Sequence, residues 1–218
     1  MPSSDPKLYG LDNPAGIEAL RRYFGVSFPE VAAYAELLVR EGELRGLLGP
    51  READRIWDRH IVNSAALANF LPETGSVGDI GSGAGLPGIV LAAMKPELQF
   101  KLIEPMERRC DWLSFVAAEI KLANVEVIRS RVEDLNAIQL DAATARAVAP
   151  VRKLVGMTLP VLRPGCPLFA LKGRSVQTEL DKAQSVLTKL PIKEVEIARV
   201  DTIEGMEPAT VLIVRKSS

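Results

Sequence analysis

The sequence predicts an α/β fold: a Rossmann-like, mostly parallel sheet of seven strands, with an antiparallel C-terminal hairpin and an N-terminal helical cap. Three observations predict it. From residue 76 onward, short apolar strands alternate with amphipathic helices, as in a parallel sheet flanked by helices. The last two strands, near 193–200 and 210–216, are joined by a loop containing Gly205 and Pro208 with no helix between them. They should pair antiparallel, because a parallel return needs a crossover of about a dozen residues or more. Residues 1–71 carry helical periodicity and no convincing strand.

In the cap, Asn13-Pro14 reads as a capping residue followed by proline in the first turn, leading into Ile17, Leu20, Tyr23 and Phe24. Ser27-Phe28-Pro29-Glu30 has capping-box spacing, and Val31, Tyr34, Ala35, Leu38 and Val39 then repeat at helical intervals up to Gly42. Gly49-Pro50 breaks the chain. A third apolar helix follows from Ile56-Trp57-Asp58-Arg59-His60 through Ala65, Leu67 and Leu71 to Pro72, so the expected division is a cap, 1–71, and a sheet domain, 72–218.

Within the sheet domain, strands are expected near 76–80, 99–103, 125–129, 141–145 and 167–171, and helices near 87–94, 106–121, 150–161 and 175–189. The helix after the second strand is the clearest, with Met106, Cys110, Leu113, Ala117 and Ile120 on one face. Trp57 and Trp112 lie in apolar patterns and read as core. Cys110 and Cys166 form no C-x-x-C pair and read as buried thiols in a reducing compartment. The start, MPSSDPKLYG, lacks the features of a signal peptide, and no apolar run approaches the roughly 20 residues of a membrane span, so a cytoplasmic protein with no membrane partner is expected.

The chain is organised around VGDIGSGAGLPG, Val77 to Gly88: a strand end, a glycine turn and a helix start. Glycines there permit positive φ and bring the backbone close to a ligand, while the helix aims free N–H groups into the turn. Two readings compete. Gly83-Ala84-Gly85-Leu86-Pro87-Gly88 matches the dinucleotide pattern G-x-G-x-x-G of an NAD-type oxidoreductase, whereas Asp79-x-Gly81-x-Gly83-x-Gly85 has the form of an S-adenosyl-L-methionine turn. Glu104, 21 positions past Gly83 at the end of the second strand, suits ribose hydroxyls under either reading. Asp79 separates them. A carboxylate facing the cradle suits the amino group of methionine but would repel a pyrophosphate by roughly 1 to 4 kcal/mol at ~4 Å. The expectation is a sulfonium cofactor.

Charge is balanced, 27 basic against 28 acidic residues, but Arg129 to Arg174 holds eight basic residues against three acidic. That local excess is either a nucleic-acid face or a scatter of solvated arginines.

The runs VGDIGSGAGLPGIVLA, LIEPMERRCDWL, SRVEDL, TARAVAP and LFALKG, in that order, closely resemble the glucose-inhibited division protein B family. The match runs from about Pro50 to Gly173 and includes Asp58-Arg59-His60 and Asn63-Ser64. The resemblance implies a seven-stranded S-adenosylmethionine-dependent methyltransferase that methylates N7 of a guanine in the decoding-region loop of 16S rRNA. The partner would be that rRNA or the small ribosomal subunit, and the enzyme a monomer. It places Gly81 and Leu86 on the cofactor, Glu104 on its ribose, Val132-Glu133 along the adenine, and Arg146 at the reaction centre near the methionine end. A non-catalytic protein that binds cofactor and RNA is the other reading. Asn63 stands where family members commonly carry Asp, so no charge-dependent role is expected there.

Guanine N7 has a lone pair and no proton, so the implied reaction needs no general base, and no metal-ligand cluster is expected. Its catalysis would come mainly from orientation. The expected RNA contacts are Arg108, Arg131, Lys172 and His60; His60, the only histidine, reads alternatively as a structural residue.

Overall fold

The computed structural model describes residues 14–49, 52–135 and 137–218; the expected cap Asn13 and the expected breaker Pro50 lie outside them. Helix α1 spans Pro14–Phe24 and α2 spans Phe28–Gly42. Pro29 sits in the first turn of α2, where its missing N–H leaves no bond unmade. Leu20, Phe24, Val31, Tyr34, Ala35 and Leu38 are buried, the stripe that the periodicity predicts. The capping box at Ser27 is not formed. Ser27 belongs to a 3-10 turn, Gly25–Ser27, and its φ of −84° and ψ of −3° continue the helical path, so its hydroxyl caps no backbone N–H.

The third cap segment departs from a regular helix. A 3-10 turn at Ala53–Arg55 leads into a π-helical stretch at Ile56–Val62, then α3 at Asn63–Ala65 and a second 3-10 turn at Ala66–Asn69. An apolar stripe this short does not distinguish i→i+4 from i→i+5 winding, so periodicity alone reads it as one helix.

The remaining strands and α-helices are, in order, β1 (Gly75–Ile80), α4 (Gly88–Met94), β2 (Leu98–Ile103), α5 (Glu107–Glu119), β3 (Val125–Ile128), β4 (Ala142–Arg146), α6 (Val151–Thr158), β5 (Pro167–Lys172), α7 (Val176–Leu187), β6 (Ile192–Val200) and β7 (Ala209–Lys216), with, among the described residues, only a 3-10 turn, Val132–Asp134, between β3 and β4. They form one sheet of seven strands in the order β3-β2-β1-β4-β5-β7-β6. The first five strands run parallel, and β7 lies antiparallel between β5 and β6, so the terminal hairpin is as expected.

Leu20, Tyr34, Leu38 and Trp57 share one apolar cluster with Ile89 and Leu91 of α4, Phe100 of β2 and Trp112 of α5. The N-terminal helices therefore cover one face of the sheet beside α4 and α5, with no separate core. Helices α6 and α7 cover the other face through Val151, Leu154, Val155, Val176 and Ala183. Trp57 and Trp112 are both core; of the thiols, Cys110 is buried and Cys166 only partly so, packed against the second apolar cluster. Because β1 pairs with both β2 and β4, the winding reverses there, and a crevice opens at the carboxyl ends of β1 and β4. No described helix is long and apolar enough to cross a membrane.

Candidate active site

Beyond Ile80 the backbone folds over the end of β2. The amides of Gly81 and Ser82 donate to the Ile103 carbonyl at 2.8 and 3.2 Å, and that of Gly85 donates to Ser82 at 2.7 Å. Gly85 has a φ of 108°, and a Cβ there would lie 2.7 Å from Ile89 Cγ1 and 3.1 Å from the Tyr34 hydroxyl oxygen, so a side chain is excluded by both conformation and space. Gly83 has a φ of 57°, and its would-be Cβ would make ordinary contacts with the Gly81 carbonyl oxygen at 3.7 Å and Arg109 Nη1 at 4.0 Å, so here conformation rather than space favours glycine. Tyr34 of α2 and Trp112 of α5 both donate to the Ala84 carbonyl, at 3.1 and 2.8 Å. The cap thus holds the cradle directly.

Asp79 does not face that cradle, contrary to expectation. Its side chain is fully buried behind the turn. Oδ2 accepts from the Gly88 amide at 3.2 Å and Oδ1 from Thr144 Oγ1 at 2.9 Å, tying β1 to the start of α4 and to β4. The physical reason is alternation along the strand: Asp79 shares a face with Val77, which belongs to the cluster under α4. Burial pushes the Asp79 carboxyl up to about 6, against the hydrogen bonds from Thr144, Ser82 and Gly88 and the nearby Arg146 charge, which lower it.

Glu104 stands immediately after β2, as expected, and is 2% exposed. Its Oε2 accepts from the Gly83 amide at 3.0 Å and its Oε1 from the Met106 amide at 3.0 Å. Arg109 Nη1 lies 3.7 Å from Oε2. The carboxylate is docked onto the turn, one lone pair of each oxygen being used by protein donors.

The crevice is a cavity of about 1510 Å³. The glycine turn from Gly81 to Ala84 and Leu86 form one side of its wall; Ala147 to Pro150 after β4, the end of β5 with Lys172, and residues between 52 and 63 form others, and α7 and the β6–β7 hairpin add Lys182 and Arg199. Its described lining carries eight basic side chains (Arg55, Arg59, Arg109, Arg146, Lys172, Arg174, Lys182, Arg199) and four acidic ones (Glu52, Asp58, Glu179, Glu207), in a chain whose net charge is −1. Each of those four carboxylates is paired with a cation: Glu52 with Arg59 at 3.1 Å, Asp58 with Arg55 at 2.9 Å, Glu179 with Lys172 at 2.9 Å, and Glu207 with Arg174 at 3.0 Å.

Arg146 ends β4 and reaches the cavity wall. Its Nη2 lies 2.5 Å from His60 Nδ1 and its Nη1 donates to the Arg59 carbonyl at 3.3 Å. His60 Nε2 lies 2.6 Å from Glu52 Oε2. Ala147, next to Arg146, has a φ of 55°, a left-handed conformation uncommon outside glycine.

Of the residues singled out in the sequence, Gly81, Gly83, Leu86, His60, Arg146 and Lys172 come together on this cavity. Asp79 and Glu104 stand behind the turn. Val132 is buried away from the cavity wall, and Glu133, Arg108 and Arg131 are exposed outside it. Lys172 is held in place by the Ala149 carbonyl, at 3.1 Å, and Glu179. Sequence reading missed Tyr34, Glu52, Arg109, Lys182 and Arg199. Only the run Asp58-Arg59-His60 pointed toward this part of the wall, and nothing local marks Glu52 as the partner of His60.

A model of the family described as rRNA small subunit methyltransferase G matches residues 28–205. The chain is 46% identical over 200 residues to the ribosomal RNA small subunit methyltransferase G of Beutenbergia cavernae, covering 91% of this chain and 94% of that one. It is 40% identical over 218 residues to the protein of the same name from Bifidobacterium longum, covering 94% and 99%. Among solved structures, a SAM-dependent O-methyltransferase from Thermotoga maritima superposes with a TM-score of 0.59 at 17% identity, over 78% of this chain and 72% of that one, a likeness of fold.

Proposed function

This chain belongs to the rRNA small subunit methyltransferase G family, and we propose that it transfers a methyl group from S-adenosylmethionine to N7 of a guanine in the decoding-region loop of 16S rRNA, acting as a cytoplasmic monomer. The observation that carries the choice of N7 is the pairing of the cavity's charges. Among its described lining residues every carboxylate makes an ion pair and the single histidine is bonded through both ring nitrogens, while the free oxygen of Asp58 is buried, an arrangement that supports a reaction needing no general base. A nucleophile that arrives with a lone pair and no proton is the one this wall can serve.

The cradle fits the cofactor. Gly81, Gly83 and Leu86 line the cavity, and the turn they belong to would carry the cofactor while Glu104 fixes the turn beneath its ribose. The bound cofactor supplies an electrophilic methyl on a cationic sulfur. Arg146, held from two sides, orients the reacting end, and Lys182 and Arg199, exposed at the cavity wall, take RNA phosphates. Arg108 and Arg131 extend that contact outside the cavity. At about 1510 Å³, the cavity exceeds the roughly 300–1,000 Å³ of an ordinary small-molecule site, leaving room for a splayed-out base.

The test is to incubate the purified protein and S-adenosylmethionine with small subunits, and separately with naked 16S rRNA, from a strain lacking this methylation. Mass spectrometry of the decoding-loop fragment should show new 7-methylguanosine. No gain on either substrate, or methylation at another atom, rejects the reading.

A further inference from the structure

The cation at the cavity wall is oriented by a chain of groups that begins in the N-terminal segment. A guanidinium carries donors only, so His60 Nδ1, 2.5 Å from Arg146 Nη2, must present its lone pair. The proton of the neutral ring then sits on Nε2, 2.6 Å from Glu52 Oε2. The direction of the chain follows: Arg146 donates to His60, and His60 donates to Glu52. The other Glu52 oxygen accepts from Arg59 Nη1 at 3.1 Å, which holds the acceptor in place. The His60 side chain is 11% exposed, so water competes little for these bonds.

We propose that His60 is a positioning residue: its neutral imidazole, with the tautomer set by Glu52, holds the Arg146 guanidinium in the orientation that methyl transfer requires, and protonation of His60 releases it. This rests on the assignment of Arg146 to the reaction centre. Protonation turns both ring nitrogens into donors, so Nδ1 can no longer accept from Arg146 and two cations meet at contact distance. The charged and titratable groups around the pair are Glu52 before the first 3-10 turn of the segment, Arg59 beside His60, and Tyr34 of α2 and Asp79 of β1 behind Arg146. Once His60 is protonated, Arg146, Arg59 and His60 are three cations facing the two carboxylates Glu52 and Asp79, so the added charge is not fully offset. Burial and the Arg146 charge both hold the imidazole below its ordinary titration range, which keeps the accepting form in place near neutral pH.

The chain has a single histidine, so its imidazole signals need no assignment. Nitrogen-15 NMR of the full chain should show the Nε2–H tautomer at mildly alkaline pH, and Arg146→Ala should move the titration midpoint upward. An Nδ1–H tautomer, or a midpoint indifferent to Arg146→Ala, overturns the arrangement. In single-turnover methyl transfer to small subunits, His60→Ala should lose roughly 10- to 100-fold in rate. His60→Asn, whose amide oxygen can accept from Arg146, should recover much of that loss and make the acid limb of the pH–rate profile shallower, leaving only what Asp79 contributes. An acid limb of unchanged steepness and midpoint in His60→Asn, or a His60→Ala rate equal to wild type, overturns the positioning role. The NMR outcomes do not depend on activity, so a protein that shows them without methylating rRNA counts against the proposed function and leaves the His60–Arg146 geometry standing.

Discussion

Thr144 Oγ1 donates to Asp79 Oδ1 at 2.9 Å, between residues that are direct partners in the parallel register of β4 and β1. The two strands that border the crevice are therefore cross-linked beneath it, and Gly88 closes the same carboxylate onto α4. Asp79→Ala would leave a buried hydroxyl and a buried amide unpaired, a loss of roughly 2 to 4 kcal/mol. Asp79→Asn, which keeps an acceptor oxygen, should lose less. Urea denaturation midpoints check this. Unchanged stability in Asp79→Ala together with lost cofactor binding would return Asp79 to the role of ligand group.

The pH dependence of stability should show two opposed contributions. Asp79 titrates at about 6 in the folded chain against an ordinary 3.8. Between those values the native state binds more protons than the unfolded chain, so rising pH removes stability, on the order of 3 kcal/mol over the window. His60, held below 6.5 by burial first and by Arg146 second, acts oppositely: the unfolded chain binds more protons, and falling pH removes stability. Denaturation across mildly acidic pH should therefore show a steeper acid loss in Asp79→Asn than in wild type, and a shallower one in His60→Asn. The reverse order would contradict both assignments.

The Tyr34 bond to the Ala84 carbonyl, at 3.1 Å, ties the cap to the cradle. Tyr34→Phe keeps the ring in the core and removes only that bond, while Trp112 still donates to the same carbonyl at 2.8 Å. Stability should fall by about 1 kcal/mol and the cofactor Kd should rise by up to about fivefold. Calorimetric titration measures the second effect, and an unchanged Kd would show that the cap does not set the turn.

Arg146→Ala should reduce methyl transfer by roughly 100-fold or more while lowering stability by no more than about 2 kcal/mol. Single-turnover rates set beside denaturation curves separate the two. Equal losses would remove Arg146 from the site.

Lys182 and Arg199 are exposed on the cavity wall. The double variant Lys182→Glu with Arg199→Glu should weaken rRNA-fragment binding by about tenfold or more and lower its salt slope by about 1 to 2, leaving cofactor affinity unchanged. Filter binding across a salt series reads both. An unaltered slope would place the RNA on another face.

The layer architecture is legible in consecutive residues. Alternating strands and helices from residue 76, with a helix-free return at the end, admit few arrangements, and the observed sheet is the expected one. The glycine turn and the acid after β2 were equally legible, because a positive-φ turn and a strand-end carboxylate are written in consecutive residues. Winding was not: Ile56–Val62 has an apolar stripe compatible with either an α- or a π-helix. Nor was side-chain direction across elements. Asp79 lies next to the cradle in sequence but points beneath it, because strand alternation and the packing of α4 decide which face it shares. The grip of Tyr34 on Ala84, 50 positions away, and the chain from Glu52 through His60 to Arg146, whose last step spans 86 positions, exist only once the cap is laid on the sheet. Such contacts carry no local pattern. They are set by how the two layers pack, and it is there that the tertiary structure alone decided which polar groups face the cavity and which hold others in place.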